Sequence, residues 1–145
     1  MKISGAYSVP IPTDRAYTVL QDPAVLAKSM PGCDRLEQTG DDEYRMVMKL
    51  MISSITGQFD GRISITDKSP PESFRLNVEG KGKPGFMKGS GVLRFSPSDG
   101  GAEVQYDGEV QVGGAIAAVG QRLIDTTARM MIKRFFENLA KHLNE

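Results

Sequence analysis

GKGKPGFMKGSG, residues 80–91, contains five glycines among lysines and a few apolar residues. Its first half, Gly80-x-Gly82-x-x-Gly85, has the spacing of a dinucleotide-binding fingerprint, which requires a helix that begins at the third glycine. Here Pro84 precedes Gly85, and the following residues alternate between polar and apolar as a strand does. The stretch therefore predicts two β-strands and a turn, and no nucleotide site.

The same alternation extends in both directions and predicts a curved antiparallel sheet. Apolar residues occupy every second position over residues 44–50, and the pattern returns on either side of the glycine-rich stretch. Turns at Pro70–Pro71 and Asp99–Gly101 separate these segments. Together with strands over residues 2–9 and 34–40, the total is about seven, and the short turns make neighbouring strands mostly antiparallel.

Helical patterns follow the first strand and close the chain. Thr13–Gln21 predicts a short amphipathic helix, and Asp22 followed by Pro23 predicts the start of a second one, with a capping residue and a proline at the first helical position. From about Ile116 to Leu143 the apolar period is that of a helix roughly 40 Å long. The predicted fold class is α+β, a single domain over residues 1–145 whose sheet wraps round this C-terminal helix.

Seven glycines fall on the apolar face of the predicted strands, where a core would normally carry valine or isoleucine. Because glycine within a strand costs stability and adds nothing to packing, the set requires an explanation. Curvature is one, since bends and bulges use glycine. Empty volume is the other, because a face without side chains beneath a long helix leaves a ligand-sized hollow. The glycines are Gly57, Gly61, Gly80, Gly82, Gly89, Gly91 and Gly108.

Soft apolar side chains are predicted to surround this hollow, with the Met30–Cys33 loop and the Gly85–Lys88 turn at its mouth. Methionine is flexible and polarizable and adapts to a bound ligand, although any single methionine also serves as ordinary core filling. The predicted ligand-binding residues are Met30, Cys33, Met46, Met48, Phe59, Gly61, Phe86, Met87, Gly89, Tyr106, Leu123, Thr127, Met130 and Met131.

Residues for catalysis or metal binding are scarce. His142 is the only histidine and falls in the last turn of the final helix, where its interaction with the helix end accounts for it. The sequence predicts no catalytic residue and no metal or covalently bound cofactor. Cys33 is expected to pack as a small apolar residue. Tyr44, Tyr106 and Asp125 are the polar groups expected nearest a ligand, and an acid–base enzyme built on Asp125 or Tyr106 is the alternative.

Composition and the N-terminus predict a cytoplasmic protein. Lysine plus arginine and aspartate plus glutamate number 18 each, so no overall basic excess favours nucleic acid. The first residues alternate and lack the apolar region of a signal peptide. A single cysteine excludes an internal disulfide and suits a reducing compartment.

The predicted order of elements resembles the helix-grip fold of the START-like (SRPBCC) superfamily. Within that superfamily, segments along nearly the whole chain are similar to CoxG, a family named for a component of carbon monoxide dehydrogenase. These segments are Met30–Cys33, Gly40–Tyr44, Gly57–Gly61, Glu79–Gly82, Gly85–Gly89, Gln111–Gly114 and Gly120–Asp125.

The resemblance implies an accessory protein that is not an enzyme. Members of the family accompany molybdenum hydroxylases of the CO-dehydrogenase type, are linked to recruiting that enzyme to the membrane, and carry a quinone in an apolar cavity. The implied partners are a lipophilic small molecule and a larger oxidoreductase. Relatives that act at the membrane often carry a C-terminal anchor. Because this sequence stops at Glu145, we expect no stable attachment, and peripheral contact at the inner membrane face stays open.

Two other functions stay open beside this one. A START-like cyclase or hydrolase would act on an aromatic substrate in the same hollow. A surface-mediated assembly factor would work without any ligand and would have a filled core.

Overall fold

A computed structural model of the chain describes residues 1–52 and 55–143, with the elements in the predicted order. The strands are β1 (Lys2–Val9), β2 (Cys33–Gly40), β3 (Glu43–Ile52), β4 (Ile55–Ser69), β5 (Ser73–Gly82), β6 (Gly85–Ser98) and β7 (Gly101–Gly113). The helices are α1 (Thr13–Val19), α2 (Pro23–Ser29) and α3 (Gln121–Leu143), and a 3₁₀ segment (Gly114–Val119) precedes α3.

The strands form one antiparallel sheet in the order β1-β7-β6-β5-β4-β3-β2. From β2 to β7 each strand pairs with the next along the chain, as short connections favour. β1 returns to pair with β7, from Lys2 opposite Glu109 to Val9 opposite Ala102. The prediction of about seven antiparallel strands is confirmed, and β1 and β2 form the edges of the sheet.

The second short helix begins at the predicted cap. Asp22 accepts a hydrogen bond from the backbone N–H of Ala24 at 2.9 Å, and Pro23 takes the first helical position, where its missing N–H is not needed. At the other end of α2, the carbonyl oxygen of Ser29 accepts a hydrogen bond from the Asn138 side chain of α3 at 3.1 Å. This bond joins α2 to the long helix.

The long helix begins later than the sequence pattern predicted. The predicted start was near Ile116, but that residue belongs to the 3₁₀ segment, and α3 begins at Gln121. Gly120 separates the two with a φ of 98°, which is outside the helical range and is suited to glycine. Ile116 and Ile124 both reach the core, so the apolar pattern continues across the break and conceals it.

The apolar core is packed most tightly at one end of the concave face, which we call the closed half and define by Tyr17, Phe74, Phe95, Ala102 and Val104. Ala102 and Val104 are 0% exposed and Phe74 is 1% exposed. The ring of Tyr17 on α1 stands edge-on against Phe74 and Phe95, with centroid distances of 5.5 Å in both pairs. Such edge-to-face contacts are favourable beyond simple burial, so α1 seals this end of the sheet.

The long helix lies over the concave face and is anchored along one edge of the sheet. Phe136 stacks on Tyr7 of β1 at a centroid distance of 4.5 Å and an interplanar angle of 11°. The nearest backbone neighbours of α3 are α2, β1 and the 3₁₀ segment. A curved seven-stranded sheet around a long C-terminal helix, with two short helices after the first strand, is the helix-grip fold, and the predicted fold class is confirmed.

Candidate ligand-binding site

Strand register brings glycines of the concave face side by side. Gly61 of β4 is opposite Gly80 of β5, and Gly91 of β6 is opposite Gly108 of β7. Because side chains alternate between the two faces of a strand, Gly61 shares its face with buried Ile63, two residues further on. The glycine-rich apolar face that the sequence predicts is therefore present.

Some of these glycines are required because neighbouring backbones approach closely. A Cβ atom on Gly108 would lie 2.7 Å from the carbonyl oxygen of Ser90, closer than real Cβ atoms come to other atoms. A Cβ atom on Gly82 would collide with the carbonyl oxygen of Gln58. At Gly82 and Gly108 the curvature explanation accounts for the glycine.

Other glycines would accept a Cβ atom without a clash. Gly61 and Gly80 are buried, yet a Cβ atom on either would meet no atom closer than 3.4 Å, an ordinary contact distance. On half-buried Gly89 the nearest atom would be 3.5 Å away. The backbone therefore does not require glycine here. We call this region the open half and define it by Gly61, Gly80, Met87, Gly89 and Val110, in which Gly80 is opposite Met87 and Gly89 opposite Val110.

The side chains of the open half are only partly covered. Met87 and Val110 are half-buried. On α3, Leu123 and Met130 are also half-buried, and their spacing of seven residues puts them on the same side of the helix. Apolar side chains of the open half, and others on α3, therefore keep access to solvent.

The structure places the predicted ligand-binding residues at different depths, and six of the fourteen belong to the apolar core or pack against it. The buried ones are Met46, Met48, Phe59, Gly61 and Thr127. Those that are half-buried and pack against the buried core are Met30, Cys33 and Met131. The remaining half-buried ones are Met87, Gly89, Tyr106, Leu123 and Met130.

Phe86 is not brought together with the others. It pairs with Lys81, which in turn pairs with Asp60, so it lies on the outer face of the sheet. Its side chain is 49% exposed and covers Gly113, where a Cβ atom would collide with the ring. The reason is strand alternation: Phe86 and Met87 are consecutive, and Met87 takes the concave face.

Two of the three polar groups expected near a ligand are occupied by protein partners. The Tyr44 hydroxyl donates a hydrogen bond to the carbonyl oxygen of Gln21 at 3.2 Å. The Asp125 carboxylate accepts a hydrogen bond from Arg129 Nε at 3.0 Å, one helical turn further along α3. Their ability to bind a ligand is reduced accordingly.

Tyr106 is the third polar group, and its environment keeps the phenol protonated. Burial raises the pKa of Tyr106 above its ordinary value of 10.0, and Tyr7 raises it further, while Arg129 acts in the opposite direction. A protonated phenol at neutral pH donates a hydrogen bond and does not serve as a base.

The thiol is shielded, and the described acidic side chains do not gather around a metal site. Burial raises the pKa of the Cys33 thiol, which packs against the core as predicted for a small apolar residue. Across residues 1–52 and 55–143, no group of three or more His, Cys, Asp or Glu side chains is placed to hold a metal ion.

The sequence analysis missed two features of the surface. Met51, near the end of β3, is 88% exposed. The apolar run Leu50–Ile52 interrupts the alternation and could have indicated an exposed apolar residue there. On the outer face a polar groove of about 240 Å³ lies across β1, β7 and β6, lined by Ser4, Arg94, Gln105 and Asp107 among others. No helix within the described residues is long and apolar enough to cross a membrane.

Solved structures share this fold over nearly the whole chain. A conserved protein from Geobacillus kaustophilus is 32% identical, with 99% of this chain and 95% of that chain covered and a TM-score of 0.94. A protein from Rhizobium leguminosarum is 14% identical over 99% and 94%, with a TM-score of 0.74. The di-domain ARO/CYC protein StfQ of the steffimycin biosynthetic pathway is 12% identical over 97% and 50%, with a TM-score of 0.68. The chain is therefore a START-like (SRPBCC) helix-grip protein.

The particular family follows from the sequence itself. Residues 5–144 match CoxG, the family of a carbon monoxide dehydrogenase component, and the chain belongs to it. No curated protein is detectably similar to the chain in sequence. Family membership and the START-like fold together indicate a ligand-binding accessory protein.

Proposed function

We propose that this protein binds a quinone in a hollow between the open half and α3. In this role it serves a molybdenum hydroxylase of the CO-dehydrogenase type and catalyses no reaction itself. The observation that carries the proposal is that Gly61 and Gly80 are buried on the concave face although a Cβ atom would fit at either position in ordinary contact with its neighbours. Protein interiors are normally close-packed, so space of this kind on an apolar face favours a bound guest.

The chemistry around the hollow favours an apolar guest. Met87, Val110, Leu123 and Met130 contribute aliphatic or thioether groups and remain half-buried without a ligand. Covering such surface is favourable by about 25 cal/mol for each Å² removed from water. A long isoprenoid tail would supply that area, and methionine adapts to its shape.

The polar groups near the hollow favour binding over catalysis. A general base works best with a pKa near the working pH, whereas burial raises the pKa of Tyr106. The Asp125 carboxylate is already engaged by Arg129 at 3.0 Å. The cyclase or hydrolase alternative would need one of these two groups, and the likeness to StfQ concerns the fold alone.

Because a quinone with a long isoprenoid tail is insoluble in water, it has to be collected from a membrane, and one end of the molecule suits peripheral contact there. Met51 and Phe86 are 88% and 49% exposed. Pro84 precedes Phe86 by two residues and lies 3.0 Å from the Cβ position of Gly57. Gly57 is next to Thr56, which pairs with Met51. Met51 and Phe86 therefore lie at the same end of the molecule. Lys83, in the same turn, is exposed. Exposed apolar and basic side chains together favour an anionic lipid surface.

The outer face of the sheet suits the docking of a larger oxidoreductase. Arg75 donates to the Ser90 hydroxyl at 3.0 Å, Ser90 donates to Asn77 at 3.0 Å, and Asn77 donates to Thr66 at 3.1 Å. These cross-strand bonds hold polar side chains in fixed positions. Non-obligate protein interfaces are commonly polar in this way, and this face points away from the hollow.

The test is uptake of a decyl-substituted benzoquinone, measured by native mass spectrometry. The wild-type protein is expected to bind one molecule per chain. Gly89→Leu is expected to keep the fold, because the nearest atom to a new Cβ would be 3.5 Å away, and to abolish uptake because the larger side chain fills the hollow.

Gln111→Leu is the matched control, since it places the same side chain at an exposed position of β7, opposite Lys88 on the outer face. It is expected to bind the quinone as the wild type does. Global unfolding of Gly89→Leu would show that the concave face is already tightly packed. A wild-type protein that takes up no quinone would favour the assembly factor without a ligand.

A further inference from the structure

The two edge strands of the sheet differ in how well they are protected against pairing with another strand. β2 carries three exposed charged side chains, and its register with β3 shifts twice, around Asp34 and around Thr39. β1 pairs with β7 over eight residues without a register shift, and Lys2 is its only charged residue. Charges and bulges are the usual means of keeping an edge strand from pairing with another chain. β1 therefore lacks the protection that β2 has.

The hydrogen bonds at the start of β1 show which of its backbone groups face the open edge. The Met1 amino group donates to the Val110 carbonyl oxygen at 3.0 Å, and the Val110 N–H donates to the Met1 carbonyl oxygen at 2.8 Å. Hydrogen-bonded and non-hydrogen-bonded pairs alternate along an antiparallel ladder. The odd-numbered residues of β1 therefore direct their N–H and C=O groups to β7, and the even-numbered ones direct theirs away from the sheet. The even-numbered residues are Lys2, Ser4, Ala6 and Ser8.

These outward groups are open to solvent. All four even-numbered residues of β1 are exposed, and so is Gly5 between them. The Tyr106 ring covers the concave side of Gly5, so the accessible part of this glycine is its backbone at the edge. Among residues 1–52 and 55–143, no group forms a hydrogen bond with the outward N–H and C=O groups. Each even-numbered residue thus offers one donor and one acceptor to another strand.

A second copy of β1 has the groups that this edge requires. In an antiparallel pair with a two-fold axis at Gly5, Lys2 is opposite Ser8 of the second copy, and Ser4 is opposite Ala6 of the second copy. Every pair then joins two residues whose N–H and C=O groups face each other, so all the outward groups of both strands find a partner. An axis at Ser4 would leave those of Ser8 unpaired, and an axis at Ala6 would leave those of Lys2 unpaired.

The side chains along this pairing are compatible with it. Ser4 and Ala6 are small, and the polar groove of the outer face extends to them, so no bulky side chain blocks a second strand at the centre. At each end Lys2 comes next to Ser8 of the second copy, which pairs with Glu103 in its own sheet. Two strand spacings are about 10 Å, a distance that lysine and glutamate side chains span together. Opposite charges therefore approach each other across the interface.

We propose that two copies of the chain pair through β1, antiparallel and with the two-fold axis at Gly5, so that their two sheets become one continuous sheet. The partner is a second copy because the same strand supplies matching donors, acceptors and charges to itself. The pairing is at the edge and leaves Gly61, Gly80 and Met87 on β4, β5 and β6 uncovered. Each copy keeps its own hollow, and the inference does not depend on quinone binding.

The first test is the mass of the full chain in solution, measured by sedimentation equilibrium over a concentration series. The wild type is expected to reach twice the mass of one chain. Ala6→Pro removes one outward N–H from each copy, and the loss of two hydrogen bonds per dimer is expected to weaken pairing about 25-fold to 100-fold. Proline is tolerated where the N–H of an edge strand faces solvent. Ala6→Thr, the matched control, keeps the N–H and is expected to pair as the wild type does.

The second test determines the register and leaves every backbone group in place. In the proposed pairing, position 6 is opposite Ser4 of the second copy, whose neighbour on β7 is Asp107. Ala6→Lys is therefore expected to tighten pairing and Ala6→Glu to weaken it, each by about twofold to tenfold. Added salt is expected to reduce both effects. This comparison applies equally if Ala6→Pro lowers the melting temperature and unfolds the chain.

Three results would overturn the proposal. A wild type that keeps the mass of one chain at every concentration would leave the edge to a strand of a different protein. A folded Ala6→Pro variant that pairs as tightly as the wild type would show that the two copies meet through another surface. Equal effects of Ala6→Lys and Ala6→Glu would contradict the two-fold axis at Gly5.

Discussion

The closed half and the open half belong to the same concave face and share β5, β6 and β7, yet they differ in how deeply their side chains are buried. In the closed half Phe74 and Phe95 are 1% and 6% exposed, and their ring centroids lie 5.6 Å apart. In the open half Met87 faces Gly80 across the strands and stays half-buried. The two regions share backbone pairing and differ in the volume of their side chains.

The difference shows that strand pairing and core packing are separable. The β5–β6 and β6–β7 ladders run without interruption from one half to the other, so hydrogen bonding holds the sheet together even where no side chains interlock. We therefore expect side-chain packing to contribute more stability in the closed half, under α1, than in the open half. Substitutions that separate stability from binding test this division.

The largest expected effect is the contrast between Phe74→Ala and Met87→Ala. Phe74→Ala is expected to lower the free energy of unfolding by about 3–5 kcal/mol, since it leaves a cavity in a packed core. Met87→Ala is expected to cost less than about 1.5 kcal/mol, because that side chain is half-buried. Urea unfolding followed by circular dichroism measures both, and equal losses would contradict the division into two halves.

The next contrast is between two glycines of the same face. Gly108→Ala is expected to cost about 1–3 kcal/mol, because the new Cβ atom meets the Ser90 carbonyl oxygen at 2.7 Å. Gly61→Ala is expected to be neutral or to stabilise by up to about 1 kcal/mol, since its nearest contacts are 3.4 Å and the unfolded chain loses freedom. Gly61→Leu should keep the fold and abolish quinone uptake. Similar costs at positions 61 and 108 would mean that curvature alone explains both glycines.

A smaller effect is expected outside both halves. Asp22→Ala removes the side-chain oxygen that caps α2 and should cost about 1 kcal/mol. Quinone affinity should not change, because the cap is exposed and lies at the far end of α2 from Met30. Thermal unfolding and native mass spectrometry on the same sample provide the two readouts. A loss of binding would imply that α2 positions the ligand-binding residues.

The smallest effect is a loss of stability at alkaline pH. Burial raises the pKa values of Tyr44 and Tyr106 above 10.0 in the folded protein, so the folded state holds these protons more tightly than the unfolded chain. Their stabilising contribution is complete below about pH 10 and is lost as the pH rises through the folded-state values. Tyr106→Phe should make the fall shallower. Urea unfolding at a series of pH values measures how the free energy of unfolding falls with pH. If Tyr106→Phe leaves that pH dependence unchanged, Tyr106 lies in water-like surroundings in the folded protein.

Much of the fold could be predicted because its signals are local. The alternation over residues 44–50 and around the glycine-rich stretch predicts strands and their apolar face, and the Asp22–Pro23 pair predicts a helix start that the structure confirms. The predicted start of α3, near Ile116, was wrong by several residues, since the helix begins at Gln121. Gly120 breaks the helix through its backbone angle, and the apolar pattern does not record that angle.

The candidate site was only partly predictable. Met46, Met87 and Tyr106 lie on the predicted face, whereas Phe86 lies on the outer one. The sequence analysis did not single out Tyr17, whose position depends on where α1 docks against β5 and β6. Helix docking is a long-range event, and the apolar spacing of a short helix does not show which of its polar atoms end without a partner.

The sequence by itself determined which residues share a face, because the alternation of side chains follows from the covalent geometry of a single extended strand. Only the tertiary structure decided what each glycine is for. Gly108 and Gly61 look alike in the sequence, but a Cβ atom on Gly108 would collide with a neighbouring carbonyl oxygen, whereas a Cβ atom on Gly61 would meet its neighbours at an ordinary contact distance. That difference is set by the distance between strands in a curved sheet and by the helix above it, and therefore exists only once the whole chain has folded.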